Sequence, residues 1–143
     1  MSKALNYIGI AKKAGVLETG EENAGIEIRT GKAKLLVLAS DASDNARRRA
    51  EGFVFETNVP LVRAPLTKEE ISFMTGKNGC SMLVFRDIGL ADQFVQALWT
   101  EHGEEYRQAA LEIRERAQRA AQRQKEAKAH QRNKKLGKRR TNI

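Results

Sequence analysis

Hydrophobic positions along this chain switch repeatedly between helical and strand spacing. Ala4, Leu5, Ile8 and Ala11 recur one turn apart between Ser2, a capping residue, and Lys12-Lys13-Gly15, and so predict a first helix over about 2–14. Val16-Leu17 suits a short edge strand. A second helix is expected over 21–30, with Glu21 and Glu22 in its first turn, where they favour the helix dipole, and Gly31 beyond its end. Leu35-Leu36-Val37-Leu38-Ala39 has no polar interruption, the pattern of a central strand covered on both faces. Ser43 or Asp44 starts a third helix reaching about Thr57, and Leu61-Val62-Arg63 is the next strand, with Pro60 at a position a strand tolerates. Thr67 and Glu70 have capping-box spacing for a short fourth helix ending at Thr75-Gly76. Ser81 to Phe85 reads as a strand, and Leu90, Phe94, Val95, Leu98 and Trp99 recur at helical spacing after Asp87.

This alternation predicts an α/β fold, a three-layer α-β-α sandwich around a small four-stranded, mostly parallel mixed sheet. Thr19 to Asp44 lies at its centre. Ser40-Asp41 follows the buried strand, at the edge where open α/β sheets present functional groups. The helix start at Thr19-Gly20 offers unpaired backbone N–H groups to an anion.

The pattern changes after Glu101-His102-Gly103. Residues 104–132 are almost wholly Ala, Glu, Gln, Lys and Arg, which predicts a long helix with favourable Glu112→Arg116 and Glu115→Arg119 pairs. Tyr106, Ala110, Ile113, Ala117 and Ala120 make a stripe too thin for a coiled coil. Residues 133–143 carry five basic side chains and no acid, a composition that is disordered in isolation. The chain therefore divides into a body, 1–101, and a basic helical tail, 102–143, disordered toward its end.

Charge sharpens that division. Residues 1–99 hold 13 basic and 12 acidic side chains, whereas 100–143 hold 13 and 6, so nearly all of the net +8 sits in the tail and a polyanionic partner is implied. Cys80 is the sole cysteine, which excludes an internal disulfide and a cysteine-based zinc framework and favours a reducing compartment. No apolar run reaches membrane-spanning length and the first residues lack a leader's apolar core, so a soluble cytoplasmic protein without membrane contact is expected. His102 and His130 are isolated, and no nucleophile–base pairing stands out. No enzyme activity, cofactor or metal is expected.

Two segments carry a family resemblance. Tyr7 to Gly15, YIGIAKKAG, is similar to the opening helix of the bacterial YlxQ-like branch of the ribosomal protein L-seven-Ae and L-thirty-e superfamily, whose members bind kink-turn RNA. Gly31 to Ser43, GKAKLLVLASDAS, resembles that branch nearly residue for residue, and Asn58-Val59-Pro60 and Gly76 fall where it has NVP and a glycine. The match spans about residues 3–99. The resemblance implies an RNA-binding, ribosomal-type monomer that recognises bent RNA without catalysis, with ribosomal or transcription–translation proteins as further partners. Its contact surface would comprise Gly20, Glu21, Glu22, Asn23, Ile26, Arg29 and Lys32 around the second helix, Lys68 before the fourth, and the loop Gly76, Lys77, Asn78, Gly79 and Cys80. Here the chain departs from the family's G-x-N-E-x-x-K pattern. Glu22 stands at the Asn position, Asn23 at the Glu position and Ile26 at the Lys position. An ionised Glu22 cannot donate to a base edge, and Ile26 cannot meet a phosphate.

Read without the family, Gly20 to Asn23 is more simply a well-charged helix start, and Arg47-Arg48-Arg49 a solvated helix face with phosphate contact as its alternative. The tail adds Arg132, Lys134, Lys135, Lys138, Arg139 and Arg140 as phosphate contacts. An alternative to specific RNA recognition is a protein–protein adaptor in transcription or translation, using the second helix with Ile26 exposed.

Overall fold

The uninterrupted apolar run becomes a central strand, β2 (Leu35–Leu38), with every residue buried. Its neighbour β4 (Met82–Phe85) is buried throughout as well. The structure, a computed structural model, describes the backbone of residues 2–141 and the side chains of residues 2–136. Short strands β1 (Leu17–Thr19) and β3 (Leu61–Arg63) close the two edges, in the order β1-β4-β2-β3.

The sheet is mixed, but its balance differs from the expectation of mostly parallel pairing. Only β2–β3 is parallel, while β4 runs antiparallel to both β1 and β2. The cause lies in α4 (Lys68–Thr75), which packs on α1 (Lys3–Lys13) instead of crossing back over the sheet. The chain therefore re-enters at the end where β2 and β3 finish. β1, β2 and β3 all point their carboxyl ends at that rim, and β4 starts there.

One helical layer is α2 (Glu21–Arg29) against α3 (Asp44–Val54). Gly25 permits their close approach, because a Cβ there would sit 3.1 Å from the Phe53 ring. The other layer is α1 with α5 (Ile88–His102), whose Phe94 meets Phe85 of the sheet at 5.0 Å between ring centroids. Side-chain caps start four helices: Ser2 accepts from Leu5 N–H at 3.0 Å, Ser43 from Ala46 at 3.1 Å, and Asp87 from Leu90 at 2.8 Å, while Thr67 and Glu70 complete the capping box.

The chain turns at Gly103 (φ +94°), passes through a 3-10 turn (Glu104–Tyr106) and enters α6 (Arg107–Thr141). The first turns of α6 do not project. Tyr106, Ala110 and Ile113 are buried in the same core as the sheet. The Tyr106 hydroxyl donates to the Arg63 carbonyl at 2.8 Å, and the Gln96 amide to the Ala110 carbonyl at 2.8 Å. The thin stripe thus packs on α5, with small residues allowing the backbones to approach. Farther on every described side chain from 121 to 136 is exposed. Helix continues through 133–141, across the stretch whose composition predicts disorder; residues 142–143 lie outside the described part.

Candidate functional site

The rim where β1, β2 and β3 end gathers the starts of α2, α3 and α4 and the loop before β4. Three helix N-termini on one edge give it a positive bias from backbone dipoles alone. They are not equivalent. Ser43 and Thr67 fill the first turns of α3 and α4, whereas Gly20, the N-cap of α2, has no side chain to offer. The first-turn N–H groups of α2 therefore lack a capping oxygen and suit an anionic or carbonyl acceptor.

Gly20 adopts φ +95° and ψ 159°, a conformation closed to most side chains. Its N–H donates to the Met82 carbonyl at 3.0 Å. It also approaches the Cys80 thiol, which donates to the Met82 carbonyl at 3.2 Å. Burial, the largest effect on the thiol, pushes the Cys80 pKa up. Cys80 is thus a buried peg that joins the loop to the start of α2.

Around that peg, Gly76 (φ +72°) and Gly79 (φ +67°) bend the loop so that Lys77 and Asn78 are exposed beside the α2 start. The Lys12 ammonium reaches the same place, 3.2 Å from where a Cβ on Gly76 would stand. Sequence reasoning missed Lys12, because a lysine pair at a helix end reads as ordinary capping. Arg49 of α3 pairs with Glu21 and so neutralises an acid in the α2 first turn. Its place within three consecutive arginines reads first as a solvated face, with phosphate contact as the alternative.

The other expected residues divide. Glu22 and Asn23 are exposed on the rim, and Asn23 donates its amide to the Thr19 carbonyl at 3.0 Å, which leaves its oxygen outward. Lys68 begins α4 on the same rim, its backbone N–H held by Asp41 at 2.8 Å. Ser40 and Asp41 are structural: the Ser40 carbonyl accepts from Arg63 at 2.8 Å, and Asp41 anchors α4. Ile26 is 40% exposed on the outer face of α2. Arg29 and Lys32, both exposed, lie at the far end of that helix, with Arg29 about 14 Å along its axis from Gly20. The Arg29 guanidinium folds back toward Gly25, whereas Lys32 stays at the opposite pole. In the tail, Arg132, Lys134 and Lys135 are exposed, and the side chains of Lys138, Arg139 and Arg140 lie outside the described residues. Among the described residues no group of three or more His, Cys, Asp or Glu could hold a metal ion, and no helix is long and apolar enough to cross a membrane.

Comparison with known proteins bears on the family and the fold. Residues 2–94 match the sequence model of the ribosomal protein L7Ae/L30e/S12e/Gadd45 family. The RNA-binding protein YlxQ of Enterococcus faecium is 40% identical over 75 residues, covering 52% of this chain and 72% of that protein. A solved protein of unknown function from Bacillus halodurans superposes with a TM-score of 0.63 at 22% identity, covering 68% of this chain and 98% of that one. The 15.5kD RNA binding protein of Giardia lamblia gives 0.52 at 15% identity, covering 67% and 82%. The last two establish likeness of fold.

Proposed function

Since the chain belongs to the ribosomal protein L7Ae/L30e/S12e/Gadd45 family, we propose that it is a non-catalytic, monomeric RNA-binding protein of the cytoplasm that grips bent, kink-turn-like RNA on its rim. One observation carries the reading. The α2 start, with no capping side chain at Gly20, lies directly against the glycine-bent loop Gly76–Cys80.

In this reading the free N–H groups of α2 and the Asn23 amide oxygen meet base edges and sugar, the backbone of the loop approaches the bend closely, and Lys12, Lys68 and Lys77 neutralise flanking phosphates. Glycines at 20, 76 and 79 permit that approach, since a side chain would hold the RNA away. Glu22 weakens phosphate attraction locally, so discrimination relies on shape and backbone donors more than on side-chain base contacts. Arg132, Lys134, Lys135 and the cations beyond them add salt-sensitive, sequence-independent attraction. The RNA in question is ribosomal or otherwise kink-turn-containing.

Titration of a kink-turn stem against a fully paired duplex of equal length tests this. A preference of about tenfold or more, roughly 1.4 kcal/mol, is expected; equal affinity for both removes the specific claim. Exposed Ile26 favours one second reading, an adaptor that docks a protein on α2. A pull-down that survives nuclease and is lost on Ile26→Glu would select it.

A further inference from the structure

The face of α6 that docks on the body changes chemistry in mid-helix. Tyr106, Ala110 and Ile113 fill the contact with α5. Continued at helical spacing, the same side of the helix presents Arg116, Ala120 and Arg123. Here, at the end of the sheet opposite the rim, a groove opens between α6 and the segments around 31–34, 57–59 and 86–88.

Lys34, Arg86, Arg116, Arg119 and Arg123 line that groove, and Asp87 is the one acid among its lining residues. Asp87 is occupied by capping the Leu90 N–H at 2.8 Å. Arg86 is spent on Glu27 at 3.3 Å and Glu18 at 3.8 Å, and Arg119 pairs with Glu115. The Arg116 guanidinium donates to the neutral Asn58 carbonyl, which fixes its position without cancelling its charge. Among the described residues, no carboxylate lies within ion-pair distance of Lys34, Arg116 or Arg123.

Arg116 is half-buried in the groove and Lys34, Arg119 and Arg123 are exposed along its mouth, so four cations add their fields over one concave surface. From Arg116 to Arg123 the helix advances about 10 Å, enough to follow roughly three nucleotides of one strand. Guanidinium groups match phosphate oxygens in pairs. We propose that this groove is a second RNA site, one that holds a sugar–phosphate strand by its backbone, independently of any bend read at the rim.

The test uses the full chain and a labelled 12-nucleotide oligouridylate, which has no bend to offer the rim. A groove variant (Arg116→Gln, Arg119→Gln and Arg123→Gln) is compared with a charge-matched variant on the same helix outside it (Arg107→Gln, Lys125→Gln and Lys128→Gln). The groove variant should lose about tenfold in affinity, with its log–log salt slope shallower by about 2, while the matched variant loses less than about threefold. Lys34→Gln with Arg123→Gln disturbs no hydrogen bond between α6 and the body, and should weaken binding even if the triple variant unfolds. The groove variant should keep the preference for a kink-turn stem over a paired duplex that is expected at the rim, so failure at the groove and failure at the rim are separable. Equal losses from the groove and matched variants would overturn the proposal, as would displacement by polyglutamate at equal charge.

Discussion

The Arg114 guanidinium Nε donates to both oxygens of Asp92, at 3.0 and 2.8 Å, and so binds α6 to α5. The Asp92 side chain is only 11% exposed, so the carboxylate depends on this partner and on the Gln96 amide at 3.0 Å. Loss of one partner of a charged, largely buried hydrogen bond costs about 2 kcal/mol. Arg114→Ala should therefore lower the urea midpoint without changing the slope.

Truncation should locate the edge of the folded unit. Deleting 104–143 strips Tyr106, Ala110 and Ile113 from the core. Ile113 alone contributes about 1.5–3 kcal/mol of apolar burial, so this deletion should unfold or severely destabilise the body. Deleting 124–143 removes exposed residues and should leave the thermal midpoint almost unchanged. Differential scanning calorimetry separates the two.

Tyr106 carries a pH signature. Burial first, and then the neighbouring Glu105 charge, raise its pKa above the usual 10. The folded state holds the proton more tightly than the unfolded chain, so this contribution is complete below about pH 10 and is lost as pH rises through the higher folded value. Tyr106→Phe should cost about 1 kcal/mol near neutrality, from the lost bond to the Arg63 carbonyl, and should flatten the alkaline decline in stability.

The strands and caps were legible in sequence because local chemistry dictates them. Leu35 to Ala39 has no polar residue to expose, and Thr67 with Glu70 states its own capping box. The direction of β4 was not legible, because it depends on α4 packing against α1, a contact between segments far apart in the chain. Docking of the tail was hidden for a similar reason. Ala110 and Ile113 alone make a poor stripe, and the contact is completed by Asp92 and Gln96 on α5. At the rim, Gly20 and the loop were readable as candidates, but only the fold puts Cys80 between them and brings in Lys12.

The thiol offers a further test. Cys80 is 3% exposed and its pKa is raised by burial, which keeps it protonated and out of reach. Its labelling rate at pH 8 should be at least about tenfold lower in the native protein than in the urea-unfolded chain. A fast native reaction would contradict its role as a peg between Gly20 and the loop.

Ile26→Lys probes the departure at the outer face of α2. Ile26 is exposed, so the change is tolerated structurally. One added phosphate contact should tighten binding of a kink-turn stem and steepen the log–log salt slope by nearly one unit. An unchanged slope would mean that RNA does not pass over that face.

The central claim is that the α2 start and the Gly76–Cys80 loop act together as the RNA-gripping edge. Amide chemical-shift mapping during titration with a kink-turn stem tests it most directly. The largest changes should fall on Gly20 to Asn23 and Lys77 to Cys80, with smaller ones along α6. Shifts confined to α6, with the rim unmoved, would contradict it.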